Sequence, residues 1–162
     1  MSKIRPIKPD EITADDWKRT RGAVLNVLIA ASFGIAACGV ALGRRPIPAP
    51  SAATRQMAQQ TYAGLIGIAL LGYAYRRMFG SASRLREIGG LARFRSARIA
   101  SAWIATLAVP LGFAHGFYVR PTLDGVAPFW VATLALGALA VPKNADLAET
   151  SLSDSKSPPT LK

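Results

Sequence analysis

The segment RRMFGSASRLREIGGLARFRSAR, residues 76–98, decides the fold because it holds seven arginines and lies between two apolar runs. In a soluble protein, so basic a segment would indicate nucleic acid binding. Here uncharged apolar stretches precede and follow it, and the positive charge of the whole chain is confined to segments of this kind. This pattern is typical of a loop that orients membrane-spanning helices, and it argues against a nucleic acid partner.

The whole chain of 162 residues has a net charge of +11 and is 51% apolar. About 20 apolar residues in a helix cross the hydrocarbon layer of a bilayer. One uncharged run, residues 61–75, has only 15 residues, so its helix is extended back to residue 57. The sequence therefore predicts an all-α, polytopic membrane protein whose transmembrane domain, residues 23–142, contains four helices in two hairpins. The predicted spans are residues 23–42, 57–75, 97–119 and 126–141.

The segments outside these spans are polar. In residues 1–22, Thr13 is a candidate N-cap for a short juxtamembrane helix with Asp15 and Asp16 in its first turn. Residues 76–96 form the predicted basic cytoplasmic loop. Residues 143–162 have no apolar periodicity, which predicts a disordered cytoplasmic tail.

The distribution of Lys and Arg predicts the orientation. With four spans, both ends of the chain share a side with the basic loop, and that side holds 16 of the 20 basic residues. The rule that cytoplasmic loops are enriched in Lys and Arg places both ends in the cytoplasm. We expect a bacterial inner membrane, with an organelle membrane as the alternative.

Small residues at four-residue spacing predict where helices pack closely. Two such stripes comprise Ala30, Gly34 and Cys38 in the first span and Ala108, Gly112 and Gly116 in the third. Glycines at 64, 67 and 72 fit helix contact in the second span. Pro110 lies in the middle of the third span, where it removes a backbone donor and predicts a kink.

His115 and Cys38 are the candidate ligands of the spans. Counted along two helices of the same direction, they lie at similar depth in the outer half of the membrane. Imidazole and thiolate can bind a metal, and a histidine can bind haem iron. However, a structural zinc site needs four ligands, and free cysteine is commonly a small packing residue. We therefore expect packing roles for both and predict neither cofactor nor metal.

Cys38 also follows Ile35, Ala36 and Ala37, a pattern that precedes the lipid-modified cysteine of bacterial lipoproteins. The apolar run is longer than a signal-peptide core and continues past Cys38, which favours a membrane span.

The basic segment has a second interpretation besides topology. Apolar residues at 85, 88, 91 and 94 alternate with arginines, which predicts a short interfacial helix on anionic lipid. The predicted headgroup contacts are Arg76, Arg77, Arg84, Arg86, Arg93 and Arg95.

These features predict a non-enzymatic accessory or assembly subunit that packs against other membrane proteins or itself. The spans hold no ionisable groups of the kind that couple transport, and we find no catalytic motif in the sequence. The alternative is a small oligomeric channel or exporter lined by Asn26, Ser101 and Thr106. A third possibility is a haem- or metal-binding membrane protein that uses His115.

Overall fold

The computed structural model describes residues 14–80 and 90–143, which form helices and no β-strand. In chain order the helices are α1 (Ala14–Leu42), α2 (Ala52–Phe79), α3 (Gly90–Thr106), α4 (Ala108–Tyr118) and α5 (Leu123–Ala140). The predicted all-helical class is confirmed for these residues. The Thr13 cap, Arg84, Arg86 and all but the first residue of the predicted tail lie outside the described residues.

Helix α1 is continuous, so the predicted juxtamembrane helix and the first predicted span are one element. Asp15 and Asp16 lie in its first turn, where carboxylates interact favourably with the helix dipole. The uncharged apolar run then continues to Leu42 without a helix-breaking residue.

Helix α2 begins five residues before the predicted span because Ser51 and Thr54 form a capping box. The Ser51 hydroxyl accepts from the Thr54 backbone N–H at 3.1 Å, and the Thr54 hydroxyl oxygen accepts from the Ser51 N–H at 2.8 Å. At the other end, the Gly80 N–H donates to the Arg76 carbonyl. Helix therefore covers the first four residues of the predicted basic loop, and α3 covers its last seven.

The third predicted span is interrupted at Leu107, which separates α3 from α4. Pro110 has no N–H to donate to the Thr106 carbonyl, so the regular hydrogen-bond ladder fails there. Beside this carbonyl, the Leu107 N–H donates to the Ile104 carbonyl, three residues back, at 3.2 Å. The interruption therefore lies three residues before Pro110, and the kink itself stays a prediction.

The helices alternate in direction. Helix α1 runs parallel to α3–α4, since Gly34 faces Val109 and Leu42 faces Gly116. Helices α2 and α5 run the opposite way. For α2, Gly64 faces Leu111 and Gly72 faces Ile104. For α5, Trp130 faces Gly39 and Gly137 faces Leu28. As a result, α1 begins and α5 ends at the same end of the bundle.

The α3–α4 rod and α5 form the centre, because each packs against both α1 and α2, whereas α1 and α2 share no extensive interface. Within residues 14–80 and 90–143, three stretches are long and apolar enough to cross a membrane: Asp15–Leu42, Gly90–Tyr118 and Leu123–Ala140. Helix α2 is not among them, since polar Gln59 and Gln60 precede its short apolar run and arginines follow it.

Large apolar side chains lie on the outside of this bundle. Phe33 on α1 is 73% exposed and Leu70 on α2 is 64% exposed, whereas the buried core contains small residues such as Ala102 and Ala140. Because lipid covers such surfaces at no cost, the arrangement is typical of a membrane protein.

Candidate functional sites at the two ends of the bundle

At the end where α5 terminates, two arginines from different helices bind one carbonyl. Nη1 of Arg76 on α2 donates to the Leu139 carbonyl oxygen at 2.7 Å, and Nη1 of Arg98 on α3 donates to the same oxygen at 3.3 Å. This carbonyl belongs to the last turn of α5, which has no intrahelical donors and carries the negative end of the helix dipole. The two guanidinium groups therefore cap α5 and connect it to α2 and α3.

Arg98 is also part of an aromatic stack. The side chain is 6% exposed, and its guanidinium lies 4.8 Å from the centroid of the Phe94 ring. Phe94 is fully buried and stacks on Trp17 of α1 at 5.6 Å. Phe94, predicted from the sequence to lie on lipid, is instead inside the bundle, and Trp17 is buried with it.

The arginines predicted to contact headgroups occupy different environments. Arg76 is half-buried at the α5 cap, whereas Arg77, Arg93 and Arg95 are exposed. Nη1 of Arg77 donates to the Tyr73 hydroxyl at 3.0 Å. Contact of Arg77, Arg93 and Arg95 with lipid headgroups stays a prediction.

Between α1 and the end of α5 lies an open depression of about 290 Å³. It is lined by Arg21, Ala138, Val141, Pro142 and Lys143. We did not predict this site from the sequence. The available signal was that Arg21 and Lys143 lie directly outside the first and last predicted spans, at positions that the alternating topology brings together.

Near the opposite end of the bundle, His115 of α4 bonds to Thr61 of α2. Both side chains are buried, and the Thr61 hydroxyl lies 2.8 Å from Nδ1 of His115. The hydroxyl also donates to the carbonyls of Met57 and Ala58, at 3.0 and 2.9 Å. The hydroxyl has a single hydrogen, so whether Thr61 or Nδ1 of His115 donates in their contact depends on the tautomer of the imidazole.

Aromatic rings pack around this imidazole. Tyr62 and Phe129 have ring centroids 5.1 and 5.0 Å from that of His115. Cys38 is half-buried on α1, whereas the His115 hydrogen bond is directed to α2. The structure thus gives His115 a helix-to-helix hydrogen bond. In the part of the chain that it describes, no group of three or more His, Cys, Asp or Glu side chains could hold a metal.

The predicted packing stripes are partly inside the bundle. Ala108, Gly112 and Gly116 are all buried. Gly34 and Cys38 are half-buried, and Ala30 is exposed on the outer surface of α1.

Comparison with known proteins adds no family to these observations. No protein-family model, no curated protein and no solved structure matches the chain.

Proposed function

We propose that this chain is a four-span integral membrane protein that acts as a non-enzymatic accessory or assembly subunit, bound to another membrane protein. In this proposal α2 is the fourth span, with Arg76 and Arg77 extending to the interface from its short apolar run. Both ends of the chain face the cytoplasm of a bacterial inner membrane, as the excess of Lys and Arg on that side indicates.

The observation that carries the proposal is the outward face of α2 at Gly67. A side-chain carbon built at Gly67 meets no atom of the described residues within 4 Å, whereas the other glycines in the four predicted spans all face a neighbouring side chain. Glycine in a helix costs about 1 kcal/mol relative to alanine. In a membrane helix, close approach of a second helix is a reason to retain it.

The surroundings of Gly67 fit such an approach. Ala63 lies one turn away on α2 and is also exposed, so the two residues form a small-xxx-small pair on the outer surface. Ile66 and Leu70 beside them are 62% and 64% exposed. The pair forms a shallow groove between larger side chains, which suits a single transmembrane helix of a partner subunit.

The test compares Gly67→Leu with Ala135→Leu, a matched change at an exposed position of α5. Tagged full-length chains are purified in mild detergent, and the mass of each complex is measured. We expect the original chain and Ala135→Leu to retain a stoichiometric partner and Gly67→Leu to lose it. Purification of the original chain as a monomer alone, or equal retention by both variants, would contradict the proposal.

An exposed polar residue favours the channel as a second candidate. Asn26 is exposed on the apolar face of α1, where several copies could place it along a pore. Ser101, in contrast, is buried within one chain and donates to the Gly72 carbonyl at 3.3 Å. Ion flux from liposomes loaded with the purified protein separates the candidates, because an accessory subunit leaves the vesicles tight.

The haem or metal candidate rests on Nε2 of His115, the ring nitrogen that takes no part in the Thr61 hydrogen bond. An absorption spectrum and a metal analysis of the purified chain test it. A haem band or bound metal that disappears in His115→Ala would favour this candidate over the accessory subunit.

A further inference from the structure

The depression between α1 and the end of α5 has the position and charge of a headgroup site. One wall carries Arg21 of α1 and the other carries Lys143, which follows α5 by three residues. Both side chains are exposed at this depression. Two cations, one on α1 and one just after α5, therefore face one open space of about 290 Å³.

The depth of this space along the helices matches the phosphate layer of a bilayer. Arg21 lies two residues before the uncharged run of α1, and Lys143 follows the uncharged run of α5. Basic pockets between transmembrane helices at this level bind the headgroups of anionic lipids.

The end of α5 would by itself repel an anion, because the last carbonyls of a helix carry partial negative charge. Here the Leu139 carbonyl already accepts from Arg76 and Arg98. These two guanidinium groups offset that negative charge and add positive charge on the far side of α5.

Below the depression, the same two helices present an apolar surface. Leu25 and Ile29 follow Arg21 by one and two turns and are 39% and 54% exposed. On α5, Leu134 lies one turn deeper than Ala138 and is 44% exposed. A phosphate in the depression would thus have its acyl chains along side chains that are already exposed to lipid.

We infer that this depression binds the phosphate of an anionic phospholipid, with Arg21 and Lys143 as its ligands and the groove between α1 and α5 as its acyl-chain surface. This inference rests on the membrane placement proposed above, but it is independent of the Gly67 partner.

The test is lipid binding by native mass spectrometry of the full chain in mild detergent, with phosphatidylglycerol and phosphatidylcholine as probes. The double variant Arg21→Gln/Lys143→Gln is compared with Arg44→Gln/Arg55→Gln, which removes two exposed charges near the opposite end. We expect the first variant to lose affinity for phosphatidylglycerol by roughly fivefold for each charge removed. The control variant should bind like the original chain.

Equal phosphatidylglycerol binding by the two double variants would overturn the inference. So would displacement of the lipid by millimolar inorganic phosphate, which would make the depression a site for free phosphate. Resistance of the chain to alkaline carbonate extraction, measured in parallel, reports membrane insertion. An inserted chain without lipid preference therefore refutes this site alone, whereas an extractable chain refutes the membrane placement itself.

Discussion

Gly112 on α4 and Gly67 on α2 are both glycines within a helix, but they differ in what lies opposite them. Gly112 is buried, and a side-chain carbon built there lies 2.6 Å from Cβ of Phe129. Gly67 is exposed, and the same carbon meets no atom of the described residues within 4 Å. The glycine of α4 is explained by contacts within the chain, whereas that of α2 has no such contact in the described part of the chain.

The largest effect is expected for Gly112→Ala. Phe129 is fully buried and its Cβ is fixed to the backbone of α5, so the added methyl group can be accommodated only if α4 and α5 separate. Overpacking of this kind typically costs about 1–3 kcal/mol, and we expect the upper part of that range. Unfolding in detergent by added dodecyl sulfate measures it.

The control for Gly112→Ala is Gly22→Ala, because the carbon built at Gly22 also meets no atom within 4 Å. If both variants unfold at the same detergent composition, α4 and α5 are not in close contact at Gly112.

A smaller effect is expected where α2 meets α4 through polar groups. Thr61→Val keeps the shape of the side chain but removes the hydroxyl that is hydrogen-bonded to His115. Hydrogen bonds between transmembrane helices contribute about 0.6 kcal/mol on average and up to about 1.7. We expect a loss of free energy of unfolding in that range, and Thr61→Ser should restore it. Equal stability of the Val and Ser variants would mean that the hydroxyl contributes nothing.

The smallest effect is expected for Gly67→Ala in the isolated chain. Without a neighbour to clash with, the methyl group removes only the helix penalty of glycine, so stability should stay unchanged or rise by up to about 1 kcal/mol. The same unfolding measurement applies. Destabilisation as large as that of Gly112→Ala would show that the face of α2 is already occupied, and the contrast between the two faces would disappear.

Much of this fold could be predicted from the sequence because its main signals are local. An uncharged apolar run and its charged flanks lie in one stretch of chain, and so do Pro110 and the carbonyl that it leaves without a donor. Helix ends were less accurate, since the Ser51 capping box and the continuation of α2 to Phe79 are set by polar groups outside the apolar run.

The contacts of individual side chains could not be predicted, because they depend on how each helix is rotated. Alanine and glycine are so frequent that Ala30 and Ala108 belong to equally regular stripes, yet one is exposed and the other buried. The partner of His115 is a threonine 54 residues earlier, and no spacing in the sequence distinguishes it from other hydroxyl residues. Arg98 likewise lies at the start of the third predicted span, and no signal in the sequence indicates that it is buried against α5.

The Leu139 carbonyl at the end of α5 is synthesised after both of the arginines that donate to it. Leu139 follows Arg98 by 41 residues and Arg76 by 63. At ribosomal rates of about 5–20 residues per second, the acceptor of Arg98 is made roughly 2–8 s after its donor. The residues of the Thr61–His115 hydrogen bond both precede α5, so both are made before the acceptor that the two arginines share.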